Sequence, residues 1–265
     1  MLGEIKEKLS RGEIIVGANV VMSDPEVSEL MGFAGCDYTW VDMEHAALNH
    51  KDIEQHIMAA HSGGAAAFVR IPWNDQVLAK RILDMGPDGI IFPFIRTRKD
   101  AENAVAACRF PPDGIRGWNP LRVLKYGLED TNEFLAHYDS MVWKIIMVEH
   151  IDCVNDLENI LAVDRIDAII IGPSDLTGSM GKLLQTDTDE FWGLIKKITD
   201  IAKKAGVVIG AAVPTNCPQD KLLKWMQYGV QMFSIGQDSF MLASIVKNNV
   251  DATRDIYNKS GIHKG

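Results

Sequence analysis

The stretch Asp167-Ala168-Ile169-Ile170-Ile171-Gly172-Pro173-Ser174-Asp175 is apolar at four consecutive positions and then breaks into glycine, proline and two polar residues. A strand with one wet face alternates apolar and polar side chains, whereas a parallel strand covered on both faces is apolar throughout. Ala168 to Ile171 therefore reads as a buried parallel strand, and Gly172-Pro173 as the turn that ends it. Similar runs recur at Ile14 to Val20, Tyr38 to Met43, Ala66 to Ile71, Gly89 to Pro93, Trp143 to Glu149, Val207 to Val213 and Gln231 to Gly236. With Asp167 to Gly172 they make eight candidate strands.

Stretches of helical periodicity lie between them, among them Pro25 to Phe33 behind the N-cap candidate Asp24, Asp75 to Asp84, and Phe191 to Ala205. Eight strands alternating with helices predict an α/β fold, a TIM (β/α)8 barrel, as a single domain over residues 1–265. An open doubly wound sheet is the structural alternative, but no G-x-G-x-x-G follows the first strand. The longest irregular stretch, Pro111 to Tyr126, is the candidate active-site loop.

The formal net charge of −9 repels phosphate backbones and anionic membranes, so nucleic acid and membrane surfaces are not expected partners. No apolar run approaches the ~20 residues of a membrane span, and Met1 to Gly12 lacks a signal-peptide core, so a cytoplasmic location is expected. Cys36, Cys108, Cys153 and Cys217 stand far apart without metal-ligand spacing and read as reduced thiols.

In a barrel of this kind the chemistry sits at the carboxyl ends of the strands. Polar residues concentrate there: Asp42, Glu44 and His45 after strand two, Arg70 ending strand three, Glu149 ending strand five, Gly172-Pro173-Ser174-Asp175 after strand six, and Gln237 and Asp238 after strand eight. Glu149 and Asp175 are two hard carboxylates from neighbouring strands, a donor set that suits Mg²⁺ or Mn²⁺. Taken singly, each is better explained by a helix cap or an ion pair. Their company on one rim with Arg70 and His45 favours a shared site. Asp42, three residues before His45, is placed to fix the imidazole tautomer so that His45 moves a proton; a surface-loop histidine is the plainer reading. Arg70 closes an apolar strand, where a guanidinium needs an anion, either a substrate or a barrel carboxylate. Gly172-Pro173 allows close backbone approach, and a free N–H at Ser174 or Asp175 could grip a carboxylate. Trp118 in the long loop is a candidate for the pocket lining.

Taken in order, Val41-Asp42-Met43-Glu44-His45-Ala46, Val69-Arg70-Ile71-Pro72, Phe110-Pro111-Pro112-Asp113-Gly114-Ile115-Arg116-Gly117, Val148-Glu149 and Ile171-Gly172-Pro173-Ser174-Asp175-Leu176 resemble the HpcH/HpaI aldolase family over nearly the whole chain. The resemblance implies a class II aldolase that cleaves a 4-hydroxy-2-oxo acid to pyruvate and an aldehyde through an enolate. It implies Glu149 and Asp175 as ligands of a divalent ion (Mg²⁺, Mn²⁺ or Co²⁺), Arg70 on the donor's oxygens, and Asp42 with His45 as the proton-transfer pair. It also implies a homo-oligomer, a hexamer built as a trimer of dimers, in which the C-terminal helix from Ser239 onward, with Met241, Leu242, Ile245 and Val246, is exchanged. Two departures stand out. Many relatives carry glutamine two residues before the metal-binding glutamate, where this chain has Met147, and Arg116-Gly117 is followed by Trp118-Asn119-Pro120-Leu121-Arg122 rather than by small residues. The competing expectations are a decarboxylase of oxaloacetate-like β-keto acids and a non-catalytic pyruvate-binding barrel.

Overall fold

Eight parallel strands close into one barrel in the computed structural model, which describes residues 1–262. They are β1 (Ile15–Val20), β2 (Tyr38–Asp42), β3 (Ala66–Arg70), β4 (Gly89–Phe92), β5 (Trp143–Val148), β6 (Ala168–Ile171), β7 (Val208–Ala212) and β8 (Met232–Gln237). Each pairs with the next in sequence, and β8 returns to β1. The fold is the (β/α)8 barrel expected from the alternation, and every strand end falls within one residue of its sequence reading. His263, to which the sequence gives no role, lies outside the described residues.

Why the strands are apolar on both faces is visible in two packed layers. Inside the barrel Tyr38, Trp40, Phe68, Trp143, Met147 and Ile170 form one cluster, with Phe68 stacked on Trp143 at 5.7 Å between centroids. Alternate residues of the same strands, including Val41, Val69, Ile146, Val148, Ile169 and Ile171, face the surrounding helices and form the second. Polar residues inside this double cover are few and partnered, as where Lys144 donates to the Asp139 and Val142 carbonyls and Ser234 to Asn19, so most polar groups collect at the rim.

Helix starts follow capping chemistry. Asp75 caps Gln76–Asp84 by accepting the Val77 and Leu78 N–H groups, and Thr188 caps Asp189–Ala205, which Gly206 ends in the left-handed region at φ 73°. The helix Glu26–Phe33 has Pro25 at its N-cap position; the expected cap, Asp24, lies one residue earlier and accepts the Glu26 N–H at 3.0 Å.

Two expectations are corrected. The segment from Pro111 to Tyr126 does not lie over the mouth of its own barrel. Arg116 is buried between the rings of Phe110 and Tyr138, at 4.6 Å from each centroid, and donates to Asp84 at 2.7 Å. Gln76 reaches the Ile115 carbonyl at 2.8 Å and Arg122 the Met85 carbonyl at 2.7 Å, so the segment is pinned along the outer helices. Trp118 rides on it, packed on Phe110 at 5.1 Å and 50% exposed, away from the cleft described below.

The last helix, Asp238–Ser260, half-buries Met241 against the core and leaves Leu242, Ile245 and Val246 exposed. Among the described residues no helix is long and apolar enough to cross a membrane.

Candidate active site

At the carboxyl ends of the strands a cleft of about 460 Å³ opens, with Asn19, Trp40, His45, Arg70, Met147 and the turn Gly172 to Asp175 in its lining. Of the sequence candidates, His45, Arg70, Met147 and Gly172 to Asp175 line this one mouth, Asp42 and Glu149 are buried and not part of the lining, and Trp118 is not among them either.

Arg70 is the organising cation. It ends β3 opposite Asp42 at the end of β2, and this register lets its Nε and Nη2 donate to the two Asp42 oxygens at 2.9 and 2.6 Å. A bidentate fork of this kind fixes direction as well as charge. Nη1 faces Glu44 Oε2 at 2.9 Å, an ion pair off the line of a hydrogen bond, and lies 3.7 Å from the Met147 sulfur. Below it Trp40 presents its ring at 5.0 Å. Burial works against the guanidinium charge, but the hydrogen bond and charge of Asp42, then Glu44 and Glu149, raise its pKa above the ordinary value.

Asp42 does not reach the His45 imidazole. Its Oδ1 is taken by Arg70 and by the backbone N–H groups of Glu44 at 2.9 Å and His45 at 3.4 Å, so it shapes the turn that carries the histidine. The group that faces the imidazole is Glu44, with Oε2 3.9 Å from Nε2. The His45 side chain is 64% exposed and lines the cleft. Glu44 is the residue that sequence reasoning placed at the rim without a role: its carboxyl is pushed up, first by burial and then by Asp42 and Asp175, against the pull of Arg70 and His45.

Glu149 follows β5 and is 1% exposed. Its Oε1 accepts the Phe94 N–H at 2.7 Å, and Phe94 holds that N–H inward from a left-handed conformation at φ 50°. Burial, with Glu44 and Asp175 adding their charges, pushes its carboxyl up to about 7, against the Phe94 hydrogen bond and Arg70. Gly172 leaves room beside it: a Cβ there would stand 3.0 Å from Glu149 Oε2 and 3.2 Å from the Met147 methyl. Asp175 lies exposed in the first turn of the helix Pro173–Ser179, where the Ser174 and Asp175 N–H groups have no intrahelical acceptor.

These surroundings suit a hard divalent cation. The raised carboxyl of Glu149 gains from a shared positive charge, and Glu149 and Asp175 are oxygen donors that leave further coordination positions for water and substrate.

Asp238, at the start of the last helix, is turned away from such a role. Its Oδ2 accepts the Val21 and Met22 N–H groups, both at 3.0 Å, and so holds the loop after β1.

Comparison with known proteins agrees with this geometry. Residues 17–244 match the model of the family described as HpcH/HpaI aldolase/citrate lyase. The chain is 29% identical over 250 residues to a 5-keto-4-deoxy-D-glucarate aldolase of Klebsiella pneumoniae, covering 94% of this chain and 96% of that one. It superposes on the crystal structure of an HpcH/HpaI aldolase from Desulfitobacterium hafniense with a TM-score of 0.87 at 28% identity, over 94% of this chain and 96% of the other. On the citrate synthase SbnG the TM-score is 0.85 at 25% identity, over 96% and 98%. With the barrel, the rim and the match over most of its length in agreement, this chain belongs to the HpcH/HpaI aldolase/citrate lyase family and is an enzyme of the lyase class.

Proposed function

We propose that the protein is a divalent-metal-dependent aldolase that reversibly cleaves a 4-hydroxy-2-oxo acid to pyruvate and an aldehyde. The observation that carries this reading is the buried carboxylate of Glu149, held by Phe94 beside the open face of Gly172 and within the field of Arg70. Glu149 and Asp175 would hold the ion, which when bound supplies a Lewis acid for the negative charge that grows as pyruvate loses a methyl proton.

The chain's own groups divide the remaining work. Arg70, locked by Asp42 and Glu44, presents a fixed positive charge to the donor's oxygens, so no reorganisation is needed when charge develops. The Ser174 and Asp175 N–H groups seat the carboxylate. An imidazole nitrogen of His45 takes the proton from the pyruvate methyl carbon in synthesis and returns it in cleavage, with Glu44 rather than Asp42 as the acid beside the ring. Trp40 closes the floor and keeps water from the guanidinium.

Incubating the enzyme with pyruvate in D₂O, with and without Mg²⁺, Mn²⁺ or Co²⁺, tests the donor half alone. Deuterium should enter the methyl group only when an ion is present. Full exchange after exhaustive chelation would remove the metal from the reading, and no exchange with any of the three ions would remove pyruvate.

A further inference from the structure

Phe94 carries the backbone N–H that holds Glu149, and it does so from a conformation that phenylalanine rarely adopts. Its φ of 50° lies in the left-handed region, where a Cβ crowds the following carbonyl and glycine or asparagine is the ordinary occupant. In a commoner conformation the same N–H would point elsewhere, and Glu149 Oε1 would lose the donor it has at 2.7 Å. A strained residue persists only where its surroundings over-determine it.

The loop that carries Phe94 is fixed at both ends. β4 stops at Phe92, and beyond the loop Thr97 and Asp100 form a reciprocal cap at the start of the helix Arg98–Cys108. Asp100 Oδ2 also accepts the Arg96 N–H at 3.1 Å. Between these anchors the Phe94 ring stacks on the indole of Trp73, with centroids 5.6 Å apart and planes 27° from parallel.

Trp73 is itself set by the loop after β3. Its carbonyl accepts the Asp75 N–H at 2.8 Å, and its neighbour Asn74 donates from Nδ2 to the Asp100 carbonyl at 2.9 Å. The loops after β3 and β4 are thus tied together beside the stack. The indole is 54% exposed, so its burial adds little to the core, and it lies outside the lining of the cleft. What its position does provide is a flat face against Phe94.

We infer that Trp73 is a positioning residue for Glu149: its ring holds Phe94 in the left-handed conformation that aims the Phe94 N–H at the carboxylate. The inference rests on the reading above in which Glu149 holds a divalent ion. One loop then serves both halves of the site, since Trp73 stands three residues beyond Arg70.

Titration calorimetry of the metal-free protein with Mn²⁺ reads the effect without turnover. Trp73→Ala should weaken Mn²⁺ binding about tenfold, and Trp73→Phe, which can still stack, should recover most of that loss. Pyruvate deuteration at saturating Mn²⁺ should fall less than the affinity does. The sharpest comparison is made in Phe94→Gly, because glycine takes a φ of 50° without strain and needs no ring to hold it. In that background Trp73→Ala should change Mn²⁺ affinity by less than about twofold. Unchanged affinity in Trp73→Ala, a phenylalanine no better than alanine, or the same loss in the Phe94→Gly background would overturn the positioning role and leave the metal reading standing. A wild-type protein that binds no Mn²⁺ would overturn both.

Discussion

The backbone N–H of Phe94 and the carboxylate of Glu149 are 2.7 Å apart, joining the loop after β4 to the residue after β5. This single donor does not offset the burial of Glu149, whose carboxyl is raised to about 7 from the ordinary 4.5. A carboxyl raised on folding contributes stability below its unfolded pKa, and that contribution is lost as the pH rises through the folded value. Metal-free protein should therefore lose thermal stability between about pH 4.5 and pH 7 relative to Glu149→Gln, whose neutral amide removes this dependence. Divalent ion binding should strengthen by about tenfold per pH unit up to that value, because one proton must leave. Melting curves and titration calorimetry across the range check both. Parallel pH profiles for wild type and variant would contradict the raised carboxyl.

Arg70 holds Asp42 and Glu44 at the rim, and substitution separates this duty from the one proposed for it in the chemistry. Arg70→Ala leaves Asp42 and Glu44 facing each other in a buried place and should destabilise the fold by about 3 kcal/mol. Arg70→Lys keeps the charge but cannot form the fork to Asp42, so it should retain more stability and still lower kcat roughly a hundredfold. Wild-type kinetics in Arg70→Lys with a lowered Tm would assign the guanidinium to structure alone.

His45→Ala should slow deuteration of pyruvate by about a hundredfold while calorimetry finds metal and pyruvate binding nearly intact. Glu44→Gln should produce part of that loss, since Glu44 is the acid that faces the imidazole. If Glu44→Gln behaves as wild type and His45→Ala does not, the histidine works without an orienting partner.

The exposed Leu242, Ile245 and Val246 on the helix Asp238–Ser260 are expected to be covered by another copy of the chain. Light scattering should find a homo-oligomer, a hexamer by the family resemblance, and Ile245→Glu should shift it to smaller species. A stable, active monomer would count against the exchange of this helix.

The barrel was legible because its signal is local: runs such as Ala168 to Ile171 are apolar on both faces only if both faces are covered, and this pattern survives without any knowledge of partners. The rim was legible as a set, since strand ends place Asp42, Arg70 and Glu149 by register. The pairings within it were not. Asp42 was expected to serve His45 and instead serves Arg70, because a short bidentate fork across adjacent strands outcompetes a contact to an exposed ring. Glu44 gave no periodic signal, being two residues past its strand in a turn whose shape depends on Asp42. Trp118 and the segment Pro111 to Tyr126 that carries it were misplaced for a related reason: whether a long connection folds over the mouth or along the flank is decided by where one buried guanidinium, that of Arg116, finds its rings.

The contact between Ser234 and Asn19 spans 215 residues of chain, and it forms at the seam where the last strand meets the first. The rim residues Asp42, Arg70, Glu149 and Asp175 come from the second to sixth strands, whereas the side of the cleft lined by Asn19 and Gln237 exists only once the circle is complete. A chain still being synthesised, or one whose seam has opened, would keep the fragments of a rim without the wall that faces it. The completed cleft is thus a property of ring closure, and local melting at the seam should open one of its walls before the rest of the rim is lost.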